Sequence, residues 1–174
     1  IRDNLIAAVK KRIDNTDREI ACLLSGGLDS SLITALVAKF HGTENLHTWS
    51  IGMKGSEDLK YAKKVADYIG THHHSIELST VEFLDAIESV IQTIESYDTT
   101  TVRASVGNWL ISKYIKENSN AKVIFNGDGS DEVTGGYMYF HYAPNALEFD
   151  NECKRLLKDI HYFDVLRSDR SISS

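Results

Sequence analysis

The 174-residue chain is 42% hydrophobic and 25% charged, with a formal net charge of −6; it suits one globular domain and is too short for two ordinary ones. It has no block of basic residues, which argues against a nucleic-acid partner, and no apolar run of about 18 residues, which argues against a membrane span. Its two cysteines match neither a zinc site nor a disulfide framework, and we therefore expect a cytoplasmic protein.

Apolar periodicity predicts helices and strands in alternation along the chain. Ser56 and Thr80 are the predicted caps of the third and fourth helices. Alternating strands and helices indicate an α/β fold, with a parallel sheet, helices on both of its faces and ligands at the carboxyl ends of its strands. The predicted strands are 19–24, 46–51, 73–78 and 122–126, and the predicted helices are 3–14, 30–41, 57–69, 80–94 and 103–117, with another after Pro144.

The first predicted strand ends in Ser25-Gly26-Gly27, directly before a predicted helix. Adjacent glycines allow a tight turn close to a ligand, and the free N–H groups of a helix N-terminus attract anions. The hydroxyl of Ser30 adds a donor, whereas Asp29 suits a phosphate site only if Mg²⁺ separates the like charges. The motif is not a Walker A loop, a nucleophile elbow or a Rossmann loop. It predicts a pyrophosphate-binding loop; an ordinary strand–turn–helix connection is the alternative.

A second glycine turn, Asn126-Gly127-Asp128-Gly129, follows the last predicted strand and leads to Ser130 and Asp131. In a parallel sheet both turns lie at the same edge, so we expect Asp29 and Asp131 to bind one Mg²⁺. A calcium EF-hand loop is excluded because Val133 occupies the position that needs glycine. An acidic surface turn is the alternative.

Two other segments carry polar side chains that could bind a ligand. The threonine hydroxyls of residues 99–101, followed by Arg103, suit a clamp for a carboxylate or phosphate. A helix cap is an equally simple explanation for the threonines, and a surface ion pair for Arg103. His72-His73-His74 offers metal-ligand side chains. Because a strand places only alternate residues on one face, at most two of these imidazoles can meet. We therefore expect a strand with partly exposed imidazoles and no metal.

With both loops in place, nearly all of the chain resembles the synthetase domain of glutamine-hydrolysing asparagine synthetases. This domain has the adenine nucleotide alpha hydrolase-like fold of the N-type ATP pyrophosphatases. The motifs that carry the resemblance are Leu23 to Ser31, Ser50-Ile51-Gly52, His73-His74, Glu95 to Asp98, Thr100 to Ser105, Gly127 to Tyr137 and His141 to Asn145.

The resemblance implies an ATP-dependent ligase. ATP adenylates the side-chain carboxylate of aspartate, pyrophosphate leaves, and ammonia then displaces AMP to give asparagine. The cofactors would be ATP and Mg²⁺, and ammonia would come from glutamine through a glutaminase domain of the parent protein. A homodimer is one assembly that the resemblance leaves open.

The resemblance also assigns roles to individual residues. Pyrophosphate would be held by the loop of Ser25, Gly26, Gly27, Asp29 and Ser30, and Mg²⁺ by Asp29 and Asp131. Thr100, Thr101 and Arg103 would face the acyl-adenylate and pyrophosphate, and Asp128 stands where the family's glutamate is tied to forming or using the adenylate. The adenosine would be bordered by Leu24, Ile51, Gly52, Asn126 and Gly127.

The chain departs from the family pattern at Asp128, where the family usually has glutamate within Ser-Gly-Glu-Gly. The chain begins at Ile1 without an initiator Met. We expect residues 1–174 to be an ATP-pyrophosphatase domain that lacks the amino-terminal glutaminase domain and the carboxyl-terminal helical part, and to be inactive alone. Two alternatives stay open: an amidotransferase of the β-lactam synthetase kind that acts on another carboxylate, and a non-catalytic nucleotide-binding fragment.

Overall fold

A computed structural model describes the chain through residue 173, and its side chains through residue 160. The predicted domain boundary at residue 174 lies outside the described residues. The strands are β1 (Ile20–Leu23), β2 (His47–Met53), β3 (His72–Leu78) and β4 (Val123–Phe125). The helices are α1 (Arg2–Asp14), α2 (Leu28–His41), α3 (Glu57–Ile69), α4 (Thr80–Asp85), α5 (Ile87–Ile94), α6 (Thr99–Asn118), α7 (Ser130–Thr134) and α8 (Ala146–Ser173), with a 3-10 helix at Met138–Tyr142.

The four strands form one parallel sheet in the order β3-β2-β1-β4, which confirms the predicted sheet. Ala21 pairs with His47 on one side of β1 and with Ile124 on the other. The short central strand β1 therefore has neighbours on both sides. The carboxyl ends of β1 and β4 consequently reach the same edge of the sheet.

Helices cover both faces of the sheet, as predicted, because successive strand residues point to opposite sides. Ile20 and Cys22 pack with Val37 of α2 on one face. Ala21 packs with Ile115 of α6 on the other face. Cys22 is fully buried in this core.

Helix α6 runs antiparallel to the strands, and this direction matters for the site. Val102, near the start of α6, belongs to the same buried cluster as Leu78 at the end of β3. Ile115, near the end of α6, packs instead with Ala21 in the first half of β1. The N-terminus of α6 therefore lies towards the carboxyl edge of the sheet.

The predicted helix 80–94 is wrong in two respects. It is two helices, α4 and α5, which meet at the buried residue Ala86. Its cap is Ser79 and not Thr80: the Ser79 hydroxyl accepts the N–H of Glu82 at 3.2 Å, and the Glu82 carboxylate accepts the N–H of Ser79 at 2.8 Å. This reciprocal pair of bonds satisfies two N–H groups that a helix start leaves unpaired.

Other differences concern where elements begin and end, and short helices that the sequence did not predict. Helix α6 begins at Thr99, earlier than the predicted start at residue 103, because Asp98 caps it. Helix α7 and the 3-10 helix were not predicted, since each spans only five residues.

Within the described residues, no helix has the length and apolar character that a membrane span requires.

Candidate functional site

The loop after β1 is held against helix α3 at Gly26. This glycine has a φ of +83°, and a β-carbon there would lie 2.5 Å from the backbone nitrogen of Ala62 and 2.6 Å from the carbonyl carbon of Tyr61. Both the positive φ and the close backbone contact exclude other residues. The tight turn expected for a pyrophosphate loop is therefore present.

Serine hydroxyls fix the shape of this loop from within. The Ser30 hydroxyl accepts the Ser25 N–H at 3.2 Å and lies 3.0 Å from the Ser25 hydroxyl. The Ser31 hydroxyl donates to the carbonyl of Gly27 at 2.6 Å. Gly27 is the N-cap of α2 and supplies no side-chain acceptor. The N–H groups in the first turn of α2 thus remain available to an anion, with the positive end of the helix dipole behind them.

The loop after β4 lies directly against the first loop, as the sequence predicted. A β-carbon on Gly127 would lie 2.8 Å from the backbone nitrogen of Ser30. The Ser130 hydroxyl donates to the Asp29 carboxylate at 2.8 Å. The pairing of β4 with β1 brings these segments together, although they are 101 residues apart in the chain.

The two acids expected to bind Mg²⁺ lie in the first turns of the helices that follow these loops, Asp29 in α2 and Asp131 in α7. Asp131 follows Ser130, whose hydroxyl orients Asp29. A β-carbon on Gly136 would lie 2.0 Å from an Asp131 carboxylate oxygen, so the glycine leaves room for this side chain. Within the described part of the chain, no group of three or more His, Cys, Asp or Glu side chains could hold a metal ion. A pair of carboxylates is nevertheless a donor set that suits Mg²⁺ when phosphate oxygens and water complete it.

Asp128, the residue that departs from the family pattern, is exposed and turned towards its own loop. Its carboxylate accepts a hydrogen bond from the side-chain amide of Asn126 at 2.8 Å. Asp128 is therefore held by a local contact, and Gly129 provides the left-handed turn that follows, with a φ of +87°.

A cavity of about 250 Å³ lies beside the two loops, on the side of α1. Leu5, Leu32 and Val133 contribute to its apolar wall, and Asn126 and Gly127 line it too. The other residues that the resemblance assigns to adenosine do not line this cavity. Leu24 is buried at the end of β1, while Ile51 and Gly52 lie near the end of β2.

The candidate clamp residues lie on the first turns of α6. Thr101 donates to Asp98 from its N–H and from its hydroxyl, each at 2.8 Å, so it takes part in the helix cap. Thr100 and Arg103 are exposed. No hydrogen bond or ion pair within the described chain joins Thr100, Thr101 or Arg103 to the two loops. The orientation of α6 places them towards the carboxyl edge of the sheet, where the two loops lie.

Sequence reasoning missed several residues that shape the site. Ser130 belongs to the second glycine turn without a predicted role, yet it bonds to Asp29. Tyr61 and Ala62 support Gly26 from a helix that carries no recognisable signal for this contact. Tyr137 donates to Glu132; this hydrogen bond, together with burial, raises the pKa of Tyr137 to about 12. The Tyr137 hydroxyl therefore stays protonated at neutral pH and ties the segment after α7 back to that helix.

Solved structures with the same fold include two NAD synthetases. The NH3-dependent enzyme from Campylobacter jejuni has a TM-score of 0.52 and 18% identity, and the match covers 76% of this chain and 58% of that one. The glutamine-dependent enzyme from Acinetobacter baumannii, in complex with ADP, has a TM-score of 0.57 and 17% identity over 76% of this chain and 26% of that one. These likenesses confirm the adenine nucleotide alpha hydrolase-like fold.

Sequence comparison identifies the family. The chain is 52% identical to the glutamine-hydrolysing asparagine synthetase of Mus musculus and 51% identical to that of Homo sapiens, each over 171 residues. Each match covers 96% of this chain but 30% of the relative's length. The asparagine synthase family profile matches residues 1–171. The chain therefore belongs to the asparagine synthase family.

Proposed function

We propose that this chain is the ATP-pyrophosphatase part of an amide ligase that converts aspartate to asparagine. ATP adenylates the side-chain carboxylate of aspartate and releases pyrophosphate, and ammonia then displaces AMP. In the parent protein, ammonia comes from glutamine through a glutaminase domain. The activity, substrates and partners of the whole protein are part of this proposal, since the chain spans 30% of the length of its relatives.

One observation carries the proposal. The uncapped N-terminus of α2, the serine–glycine loop before it and the acidic loop after β4 meet at one edge of a parallel sheet. The first turn of α2 offers N–H groups and Asp29, and Gly127 lies against its backbone. Such an arrangement binds a polyphosphate through fixed dipoles, which need no reorganisation when charge develops on the leaving group. Catalysis then depends on positioning and electrostatics, without a protein nucleophile.

Asp29 and Asp131 fit Mg²⁺ because both are carboxylates at the starts of helices that follow adjoining loops, and Ser130 fixes the orientation of Asp29. Bound there, the ion would neutralise charge on the β- and γ-phosphates. The serine hydroxyls and backbone N–H groups of the loop hold the pyrophosphate itself. Its release is favoured because the free N–H groups of the first turn of α2 are fixed in place before charge develops on the leaving group.

We propose that α6 binds the carboxylic acid substrate. We assign Thr100, Thr101 and Arg103 to aspartate and to the acyl-adenylate, with Leu24, Ile51 and Gly52 beside the adenosine. The orientation of α6 supports this assignment, because its first turn faces the edge that carries the loops. A guanidinium offers two parallel donors to a carboxylate, which suits the orientation of an acid for attack on ATP.

The test is the exchange of labelled pyrophosphate into ATP by the full-length protein. We expect exchange that depends on aspartate, and its loss in Asp29→Asn with glutamine hydrolysis retained. Asp85→Asn, which changes an exposed carboxylate on α4, is the matched control and should behave as the wild type. Exchange that another carboxylic acid supports better than aspartate would identify a different amidotransferase.

A second candidate function is nucleotide binding without catalysis. The contact between Asp128 and the amide of Asn126 favours it, because this carboxylate is shorter than the usual glutamate and is held within its own loop. ATP binding with no exchange for any carboxylic acid would support this candidate and contradict the ligase.

A further inference from the structure

Three histidines form a cluster at the amino ends of β2 and β3, away from the loops. Nδ1 of His47 lies 2.8 Å from Nε2 of His74, and the two ring centroids are 5.1 Å apart. The ring of His72 lies 5.3 Å from that of His47. The sequence predicted that two residues of 72–74 could share a face, but not that β2 supplies a third imidazole.

The strand register explains why these side chains meet. His47 pairs with His72, and Trp49 pairs with His74, so alternate residues bring these four rings to one face of the sheet. His73 points to the opposite face, where its ring nitrogens contact the hydroxyls of Thr48 and Ser50 at 2.9 and 3.1 Å. It takes no part in the cluster.

Neighbouring groups restrain two of the imidazoles. The indole of Trp49 stacks on His74 with centroids 4.1 Å apart and an angle of 16° between the rings. Nε2 of His72 lies 2.8 Å from the carbonyl oxygen of Glu44, so His72 is already occupied by a backbone contact. His47 and His74 are left as a pair that is partly exposed to water.

We propose that His47 and His74 form a binding site for a divalent transition metal with tetragonal coordination, such as Ni²⁺ or Cu²⁺. Imidazole nitrogens bind such metals at about 2.0–2.1 Å, so two of them at a right angle stand about 2.9 Å apart. The observed separation of 2.8 Å is close to that value. Water completes the coordination at this partly open surface.

Binding requires a rearrangement of one proton and of two rings. The proton that joins His47 to His74 moves to the outer nitrogen of its own ring, which leaves both facing nitrogens as neutral ligands. The ion lies beside the line between them, so both rings turn about χ2, a torsion with a broad minimum, and His74 gives up part of its stacking on Trp49. The site differs in place and ligand type from the carboxylates at the other edge of the sheet.

The experiment is calorimetric titration of the untagged chain with Ni²⁺ near neutral pH, with reversal by EDTA. Variants His47→Gln and His74→Gln each remove one ligand and should weaken Ni²⁺ binding by about tenfold or more. His72→Gln is the matched control, since it removes an imidazole of the same cluster that is not a ligand, and it should bind as the wild type.

Thermal unfolding separates lost ligands from lost structure. Ni²⁺ should raise the melting temperature of the wild type and of His72→Gln, and raise that of the two ligand variants by less at the same Ni²⁺ concentration. If the variants unfold at the wild-type temperature without metal, the substitutions have not disturbed the fold, and weaker Ni²⁺ binding reflects the lost ligand. No Ni²⁺ binding by the wild type, or wild-type affinity in both ligand variants, would overturn the proposal, and equal losses in all three variants would overturn the choice of ligands.

Discussion

Gly26 has a left-handed backbone and no room for a β-carbon, so its replacement should damage the site. We expect Gly26→Ala to cost about 1–3 kcal/mol from backbone strain alone, because the new carbon would meet Ala62 at 2.5 Å. Denaturant unfolding measures this loss. Gly107→Ala is the control: it lies in α6, nothing stands within 4 Å of where its β-carbon would be, and it should gain about 0.5–1 kcal/mol. Equal stability of both variants would contradict the prediction.

Asp128 is one methylene shorter than the glutamate that the family resemblance predicts there. We expect Asp128→Glu to raise the rate of aspartate-dependent pyrophosphate release in the parent protein by up to about 10²-fold, since small displacements at a reacting centre have effects of that size. Pyrophosphate release under saturating ATP is the measurement. Asp128→Asn keeps the shorter side chain without the charge and should give no increase. A slower Asp128→Glu variant would mean that the contact with Asn126 is required.

Cys22 should be inert in the folded protein, because burial raises the pKa of its thiol to about 12 against a small opposing effect of Thr34. Thiolate is the reactive form, so a disulfide reagent at about pH 8 should label Cys22 only after unfolding. The Cys153→Ser variant leaves Cys22 as the sole cysteine for this assay. The raised pKa also means that stability is unaffected by this thiol below pH 9 and declines as the pH rises from 9 towards 12. Rapid labelling of the native variant would contradict the assigned burial.

At the scale of elements, two variants at the start of α4 can show which residue caps this helix. Ser79→Ala removes the acceptor of the Glu82 N–H and should cost about 1 kcal/mol. Thr80→Ala, at the cap that periodicity predicted, should be nearly neutral. Thermal unfolding of the two variants measures the difference. A larger loss in Thr80→Ala than in Ser79→Ala would restore the predicted cap.

The strands and long helices were predictable because each has a regular apolar pattern with a glycine or a polar cap at its ends. Helix α3, between Ser56 and Gly70, is the clearest case. The break at Ala86 was not predictable, since the apolar stripe continues through it and the interruption depends on packing in the core. Helix α7 is too short to show a period.

The position of the site was predictable for a different reason: parallel strands place their following loops at one edge. The individual contacts within it were not. The bond from Ser130 to Asp29 and the close approach of Gly26 to Tyr61 join elements that are distant in the sequence. Such contacts depend on how helices and loops pack after the topology is set, and no local pattern encodes them.

At the scale of the whole molecule, the exposure of the two loops to water should limit ATP binding and catalysis by the 174-residue chain alone. Ser25, Gly27, Asn126 and Asp128 line the site, and all four are exposed to water. Water at these positions weakens electrostatic contacts and hydrolyses any acyl-adenylate that forms. We expect weak binding of Mg·ATP and no asparagine, even with ammonium supplied. Calorimetry with ATP and chromatography of the products measure the two outcomes, and asparagine above the background would refute the second.

The order of the strands also governs when the site exists during synthesis. β4, the partner of β1 at the site, is made about 100 residues after β1. Closing a loop of that length costs about 4 kcal/mol from its length dependence, and only the finished pairing repays it. A nascent chain that has emerged only as far as β3 carries the complete serine–glycine loop but not Gly127, Ser130 or Asp131. The proposed nucleotide site is therefore complete only after β4 has emerged from the ribosome, and we expect ATP to stabilise the chain only from that stage onwards.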